Sequence, residues 1–513
     1  MKRILALFLT IIIVIFPLTA CKKKPVKDLT SQSESDLLDD EEDGEEVFDE
    51  EDEDEDEDEG GNASSKGKSA SSKSKTTSSK SKTTSSKGKT TSSIDINKDK
   101  EDFGGRTFKI VYNLDGKAPK SGSSEYADYL IKRTKELEKA WNFKLEYYFP
   151  GVIEDGYTQT VLAACMSRDP IGDVIFLPDY NLFSFIRRGL AYPVSDLNLF
   201  TDEDYDKYGK SGEPLVTKYK NKQYVIPFSL SPISIDVGDG VFFNKKIFER
   251  LGLDNPYHYV ENNTWNYDNM FDLAQKTAKD TNGDGQIDQY GLAGKVLSMS
   301  FIYGNGGQIE RPNADGSKYT FTLNEPKALR GVEAFVNNKS ASFWAPHEQD
   351  GKPLFVKGNL AMYIDNLWVN GEYFSAGKMN DAYGWVPFPK GPDATKYSMN
   401  AISGRMFIPA NVKDAAAIGK IIKYIYNAIP YDTLDEAMEI GSEQYQDAKM
   451  VKYIKESIKN NYTVYSATWA LGDLFGIVNG AIWSAGGGSQ SVAAAIEAIR
   501  GPAEKAISDA LGG

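Results

Sequence analysis

The sequence predicts an α/β body of two lobes, carried on a long disordered tether. Three observations point there. Short apolar strands alternate with amphipathic helical stretches from Phe108 onward. About 410 residues follow the last low-complexity segment, enough for two domains with cores of their own. Between Asp39 and Ser93 the composition changes abruptly and apolar residues almost vanish.

Residues 1–21 read MKRILALFLTIIIVIFPLTAC. Lys2 and Arg3 form a basic start, Leu5 to Pro17 an apolar stretch too short for a comfortable membrane span, and Leu18-Thr19-Ala20-Cys21 a run of small residues ending in cysteine. The segment resembles a bacterial lipoprotein signal, which implies cleavage before Cys21, lipidation of Cys21 with palmitate among the acyl chains, and a location outside the cytoplasm on the cell membrane. An ordinary secretory signal with an incidental cysteine is the alternative. Residues 22–103 read as the tether. From Asp39 to Glu59 every residue but Gly44, Val47 and Phe48 is acidic, and Ser71–Thr77 repeats as Ser78–Thr84 and again with Gly88. Neither stretch has the apolar residues to offset backbone ordering, so both are expected to be disordered, spanning roughly 50 Å root-mean-square.

The net charge is −15, but the acidic run carries −18, the lysines from Lys66 to Lys89 carry +8 and residues 1–38 carry +3, leaving −8 over residues 94–513. A mildly acidic body of that size excludes a nucleic-acid footprint. Cys165 is the only body cysteine, so a thiolate metal site and an internal disulfide are excluded, and Val161 to Met166 reads as a helix with Cys165 in its core. His258 and His347 are the only histidines, leaving a His-based triad little to draw on. Gly209-Lys210-Ser211 fails as a phosphate loop because Asp204 stands where its first glycine belongs. The chain is therefore read as a non-enzyme.

Element by element, Phe108 to Tyr112 is a strand, and Tyr126, Tyr129, Leu130, Leu137 and Trp141 share one helical face. Phe143, Leu145 and Tyr147 alternate with Lys144 and Glu146, as in a strand covered on one side. Tyr157 to Met166 is helical, and Asp173 to Leu177 is a buried parallel-type strand. It ends at Pro178-Asp179-Tyr180-Asn181, where a further helix begins. Ligands of open α/β sheets bind beyond such strand ends.

The segment GDVIFLPDYNLFSFIRRGLAYPVSDL, residues 172–197, resembles the extracellular solute-binding proteins of family 1, the carbohydrate-binding subunits of ABC importers related to maltose-binding protein. Tyr224 to Phe228, Val241 to Phe248, Thr264-Trp265 (with Thr264 as helix cap), Phe355 to Trp368 and Trp385 to Pro389 match that family in order. The resemblance spans nearly all of residues 104–500. It implies a two-lobe periplasmic-binding-protein-like fold of type II, with discontinuous lobes of about 104–228 plus 403–460 and about 230–400 plus 462–513. The lobes would close about a hinge on a carbohydrate, and the monomeric chain would deliver it to ABC permease subunits. A surface glycan- or peptide-binding adhesin or sensor on the same fold is the alternative.

A pyranose offers a C–H face for aromatic stacking and a rim of hydroxyls for polar groups. Trp368 and Trp483 lie where the family carries stacking aromatics, with Tyr180 and Asn181 on the facing lobe. Asp115, Tyr303, Asn305, Asp365, Asn366 and Arg405 complete the expected polar set, while Trp265 and Trp385 are expected to pack. Asp280, Asn282, Asp284 and Asp288 occupy positions 1, 3, 5 and 9 of a calcium-type loop, with Gly285 at the turn and Gln286 offering its carbonyl. Position 12 is Gly291 rather than a bidentate Glu. A relative uses an acid just after position 9, where this chain has Gln289. The reading is a structural Ca2+, against an ion-free loop of Asx turns.

Overall fold

The computed structural model describes residues 95–512, apart from 115–117, 202–216, 228–236, 296, 347–350, 376, 403, 427–437, 439–444 and 486–489. Cys21, the acidic run, the repeat and Asp115 lie outside the described residues. Among those described, no helix is long and apolar enough to cross a membrane.

The first lobe runs strand–helix three times: β1 (Arg106–Val111), α1 (Glu125–Trp141), β2 (Phe143–Tyr148), α2 (Glu154–Met166), β3 (Val174–Pro178) and α3 (Asp179–Arg187). The remaining strands are β4 (Lys218–Tyr219), β5 (Lys222–Gln223), β6 (Asp239–Asn244), β7 (Tyr290–Gly294), β8 (Glu310–Pro312), β9 (Tyr319–Phe321), β10 (Leu360–Asn366), β11 (Tyr383–Pro387), β12 (Met399–Ala401), β13 (Gly404–Phe407) and β14 (Thr463–Tyr465).

The first sheet has the order β13-β3-β1-β2, parallel except for the antiparallel edge strand β13. Its helices follow from their caps and stripes. Ser124 accepts the amide of Ala127 at 3.0 Å to open α1, and Asn142 in the left-handed region closes it. Between them Tyr126, Leu130, Leu137 and Trp141 fall on one face and are buried. They pack with Phe108, Ile110 and the helix Ala415–Tyr426 on one side of the sheet. On the other side Tyr157, Val161, Cys165, Leu182 and Phe185 cover Val111, Ile175 and Leu177.

The second sheet has the order β11-β6-β10-β7, and every residue of β6 and β10 is buried. Trp265 and Trp385 are both fully buried in this core, and Trp265 Nε1 donates to Pro387 O at 2.8 Å. Thr264 does not cap the next helix. Asn266 does, accepting the amide of Asn269 at 3.0 Å, while the Thr264 hydroxyl turns back to Tyr259 O.

One lobe boundary also needs correction. The helix Ala448–Lys459, expected in the first lobe, lays Met450, Tyr453, Ile454 and Ile458 into the core shared with Trp385 and Tyr383. At its N-cap Asp447 accepts the Tyr257 hydroxyl at 3.1 Å and pairs with Lys245, both from the second lobe. The returning segment of the first lobe thus runs through β13 and the helix Ala415–Tyr426.

Between the sheets β12 and β14 pair in parallel, Met399 with Thr463 and Ala401 with Tyr465. Gly238 enters β6 beside this pair with φ +97, and an added Cβ would lie 2.5 Å from Asn400 O, so only glycine fits. The lobes also touch through α3, whose Phe183 meets Tyr319 edge-on at 5.9 Å.

Candidate functional site

Both sheets turn the same kind of edge toward the crossover. In the first lobe β3 ends and β13 begins there. In the second, β10 ends opposite the start of β6, pairing Asn366 with Asp239. The residues just beyond these strand ends are the ones an enclosed solute would meet.

On the second-lobe edge Asp365 is buried. Its carboxylate accepts the Tyr363 hydroxyl at 2.7 Å and the Asn366 amide at 2.8 Å. Burial pushes it up to about 6, against the pull of those bonds and of Lys295 and Lys352. Asn366 donates from Nδ2 to Asp239 at 2.9 Å, Ser300 donates to the same carboxylate at 2.7 Å, and Asn366 Oδ1 is buried without a hydrogen-bonding partner. One residue further the chain lifts out of the core: Leu367 and Val369 are buried, while Trp368 between them is 44% exposed and meets Tyr373 edge-on at 6.2 Å.

From the first lobe, α3 presents Tyr180, half-buried, 6.3 Å from Trp469 of the second lobe. Trp469 stacks on Phe475, and its Nε1 is buried without a hydrogen-bonding partner. Asn181 donates to the Thr158 hydroxyl at 3.0 Å. Arg405 is 4% exposed, its Cζ 5.2 Å from the Tyr465 ring. Sequence reasoning missed Trp469 and the exposed Tyr148 at the end of β2. Tyr148 was legible in the alternation of its strand. Trp469 had only its place just after a crossover strand.

Just before Trp469 in the chain, residues 466–468 are held by the buried Glu310. It accepts Ser466 Oγ at 3.0 Å, the Ala467 amide at 2.6 Å and Thr468 Oγ1 at 2.5 Å. Burial pushes its carboxyl up to about 7 in spite of these bonds.

Other expected residues make contacts of their own. Trp483 packs edge-on against Phe335 at 5.1 Å, and Lys339 caps its helix by donating to the carbonyls of Ile482, Trp483 and Ala485. Tyr303 is buried in the second-lobe core because its whole helix, Leu297–Gly304, is covered. Asn305 is consumed in bracing a loop, donating to Lys327 O at 2.7 Å and to Asp393 at 2.8 Å. In the calcium-type loop Asp280 accepts the amides of Gly283 and Gly285 at 2.6 and 2.7 Å, and Asp288 accepts Thr281. Gln289 points away into the body, bonded to Arg250 and to Thr277 O, so it is withdrawn from the expected ligand set. Among the described residues no three His, Cys, Asp or Glu side chains converge as a metal cluster. A cavity of about 500 Å³ opens at the opposite end of the first sheet, away from these strand ends, lined by Arg106, Lys109, Arg168, Asp173 and Lys413.

A family model for bacterial extracellular solute-binding proteins matches residues 125–429, and the chain belongs to that family. Solved structures similar to it include the GacH receptor of Streptomyces glaucescens, unliganded and in complex with acarbose, at TM-score 0.56 and 17% identity over 80% of this chain and 99% of that one. An ABC substrate-binding protein from Listeria monocytogenes in complex with cycloalternan matches at TM-score 0.53 and 15% identity, over 80% and 99%. The maltose/maltodextrin-binding domain MalE from Bdellovibrio bacteriovorus, bound to maltotriose, matches at 0.53 and 18%, over 78% and 99%. These likenesses establish the two-lobe type II fold. No curated protein matches significantly.

Proposed function

We propose that this chain is the extracytoplasmic solute-binding subunit of an ABC importer. It holds an oligosaccharide between its lobes without changing it and hands it to membrane permease subunits. The observation that carries the reading is Trp368, an indole left exposed at a buried strand end of the second lobe, with Tyr180 and Trp469 meeting at the lobe contact beside the crossover. Ligands bound to other proteins of this fold, acarbose and maltotriose among them, support a carbohydrate. Because a solute contacting both lobes gains its full binding energy only in the closed form, that energy drives closure. A thermal-shift panel of neutral and acidic oligosaccharides tests the reading: protection by at least one glycan without its turnover is expected, and turnover would replace it with a glycosidase.

The anchor belongs to the same reading. Cys21→Ala should leave the protein uncleaved or secreted, with no incorporation of labelled fatty acid. Label persisting in the variant would place the lipid on a residue other than Cys21.

Calcium is proposed as a structural ion of the second lobe, held by Asp280, Asn282, Asp284, Asp288 and the Gln286 carbonyl. The loop's oxygen-rich donor set suits a hard cation, and Asp280 already holds the turn through Gly283 and Gly285. An ion binding only the folded state raises stability. Chelation should therefore lower the melting temperature of the wild type and leave Asp284→Ala almost unmoved. Equal sensitivity in both would exclude this loop.

A further inference from the structure

We propose that the solute is an acidic carbohydrate, a uronate-containing oligosaccharide, and that Arg405 grips its carboxylate. The inference rests on the carbohydrate reading above and adds the charge of the ligand.

Arg405 stands at the start of β13, where the chain re-enters the first lobe from the crossover. Its register partner is Leu177, one residue before the end of β3. It is 4% exposed, yet its Nε and Nη2 are buried and meet no hydrogen-bonding partner among the described residues. A guanidinium stays charged at any physiological pH, so it cannot escape burial by losing its proton. An uncompensated buried charge costs several kcal/mol by order of magnitude, and native proteins place few donors in that state. Its one aromatic contact, with Tyr465, engages neither of those two donors in a hydrogen bond.

Several other cations among the described residues behave differently, although Arg187 Nε is likewise buried without a hydrogen-bonding partner. Arg133 donates from Nε to Tyr424 O, Lys339 reaches three carbonyls, and Arg311 forks onto Glu325. Arg330 gives the informative comparison. It uses Nε and Nη2, the two donors that point the same way from one edge of the guanidinium, to hold both oxygens of Asp393 at 2.5 and 2.7 Å. Arg405 offers that same edge unused. Two parallel N–H groups fit the two oxygens of a carboxylate.

The surroundings fit a sugar bearing that acid. Asn366 Oδ1, at the end of β10, and Asn400 Oδ1, on crossover strand β12, are both buried without a donor. Gly238, next to Asp239, packs against the backbone of Asn400, and Asp239 pairs with Asn366, so these two acceptors belong to one continuous stretch at the crossover. Amide oxygens lacking donors suit hydroxyls, and a cation lacking an anion suits a carboxylate. A uronic acid residue supplies both.

The test uses the full chain and paired glycans: galacturonate, glucuronate and mannuronate oligosaccharides, each with its carboxyl-reduced neutral counterpart, titrated calorimetrically. The wild type should bind at least one acidic form about tenfold or more tighter than its reduced partner. Arg405→Gln should lose that preference, weakening the acidic form far more than its reduced partner, and Arg405→Lys, with a point charge in place of the fork, should recover part of it. Equal binding of both members of every pair, or a preference unchanged in Arg405→Gln, overturns the inference and leaves the carbohydrate reading standing. Binding of no glycan overturns both. The free Arg405→Gln protein should melt no lower than the wild type, since the substitution removes an uncompensated charge. A fall of many degrees would make Arg405 a structural residue and defeat the proposal.

Discussion

Trp368→Ala is expected to weaken oligosaccharide capture by more than tenfold, over ~1.4 kcal/mol, while the free protein melts within a few degrees of the wild type. The two halves of this expectation come from the same geometry. Leu367 and Val369 are buried and hold the backbone, whereas Trp368 is 44% exposed, so truncating it opens no core cavity. An exposed indole at a strand end is instead available to cover the C–H face of a pyranose, which removes apolar surface of both from water. Calorimetric titration beside a thermal melt checks both halves. A variant that unfolds, combined with a wild type that no glycan protects, would falsify the stacking role and the carbohydrate reading with it.

The second large effect is on stability. Glu310→Gln should flatten the pH dependence of unfolding between about pH 4.5 and 7. In the unfolded chain the carboxyl titrates near its ordinary value of 4.5, while in the folded protein burial pushes it up to about 7. Between those values the folded form keeps a proton that the unfolded form has released. Stability therefore falls as pH rises through this window and levels off above it, by an amount on the order of 3 kcal/mol. The substituted amide would not titrate, and its oxygen can still accept from Ala467 N, so the segment 466–470, which carries Trp469, stays in place. Asp365, pushed up to about 6, contributes a slope of the same sign that persists in the variant. Urea midpoints at several pH values measure the difference. Parallel profiles for the two proteins would mean that Glu310 is ionised throughout and compensated by something else.

Much of the architecture was legible in the chain because it depends on local periodicity. The α1 stripe, the half-covered β2 and the largely buried β3 are each visible within a single element, and the burial of Cys165 and Trp385 follows from their apolar neighbours. The helix Ala448–Lys459 was equally legible as an amphipathic helix, but its lobe was not. Its stripe of Met450, Tyr453 and Ile454 would suit either core, and what decided the matter was the pairing of Asp447 with Tyr257 and Lys245, some 190 to 200 positions away in the chain.

The candidate site divides in the same way. That residues such as Tyr180, Trp368 and Asn366 stand at strand ends follows from where each strand stops. That Trp483 packs on Phe335, that Gln289 turns toward Arg250, and that Asn305 clamps Asp393 depends on partners distant in sequence, and a lone aromatic or amide carries no mark of them. By itself the sequence determined the family, the α/β class and the compositional break that precedes the body, all of which live in composition, order and period. Only the tertiary structure decided which polar groups are satisfied. Arg405 is an ordinary arginine in the sequence and a buried cation with an empty edge in the fold, because its partners are set by what the crossover brings around it.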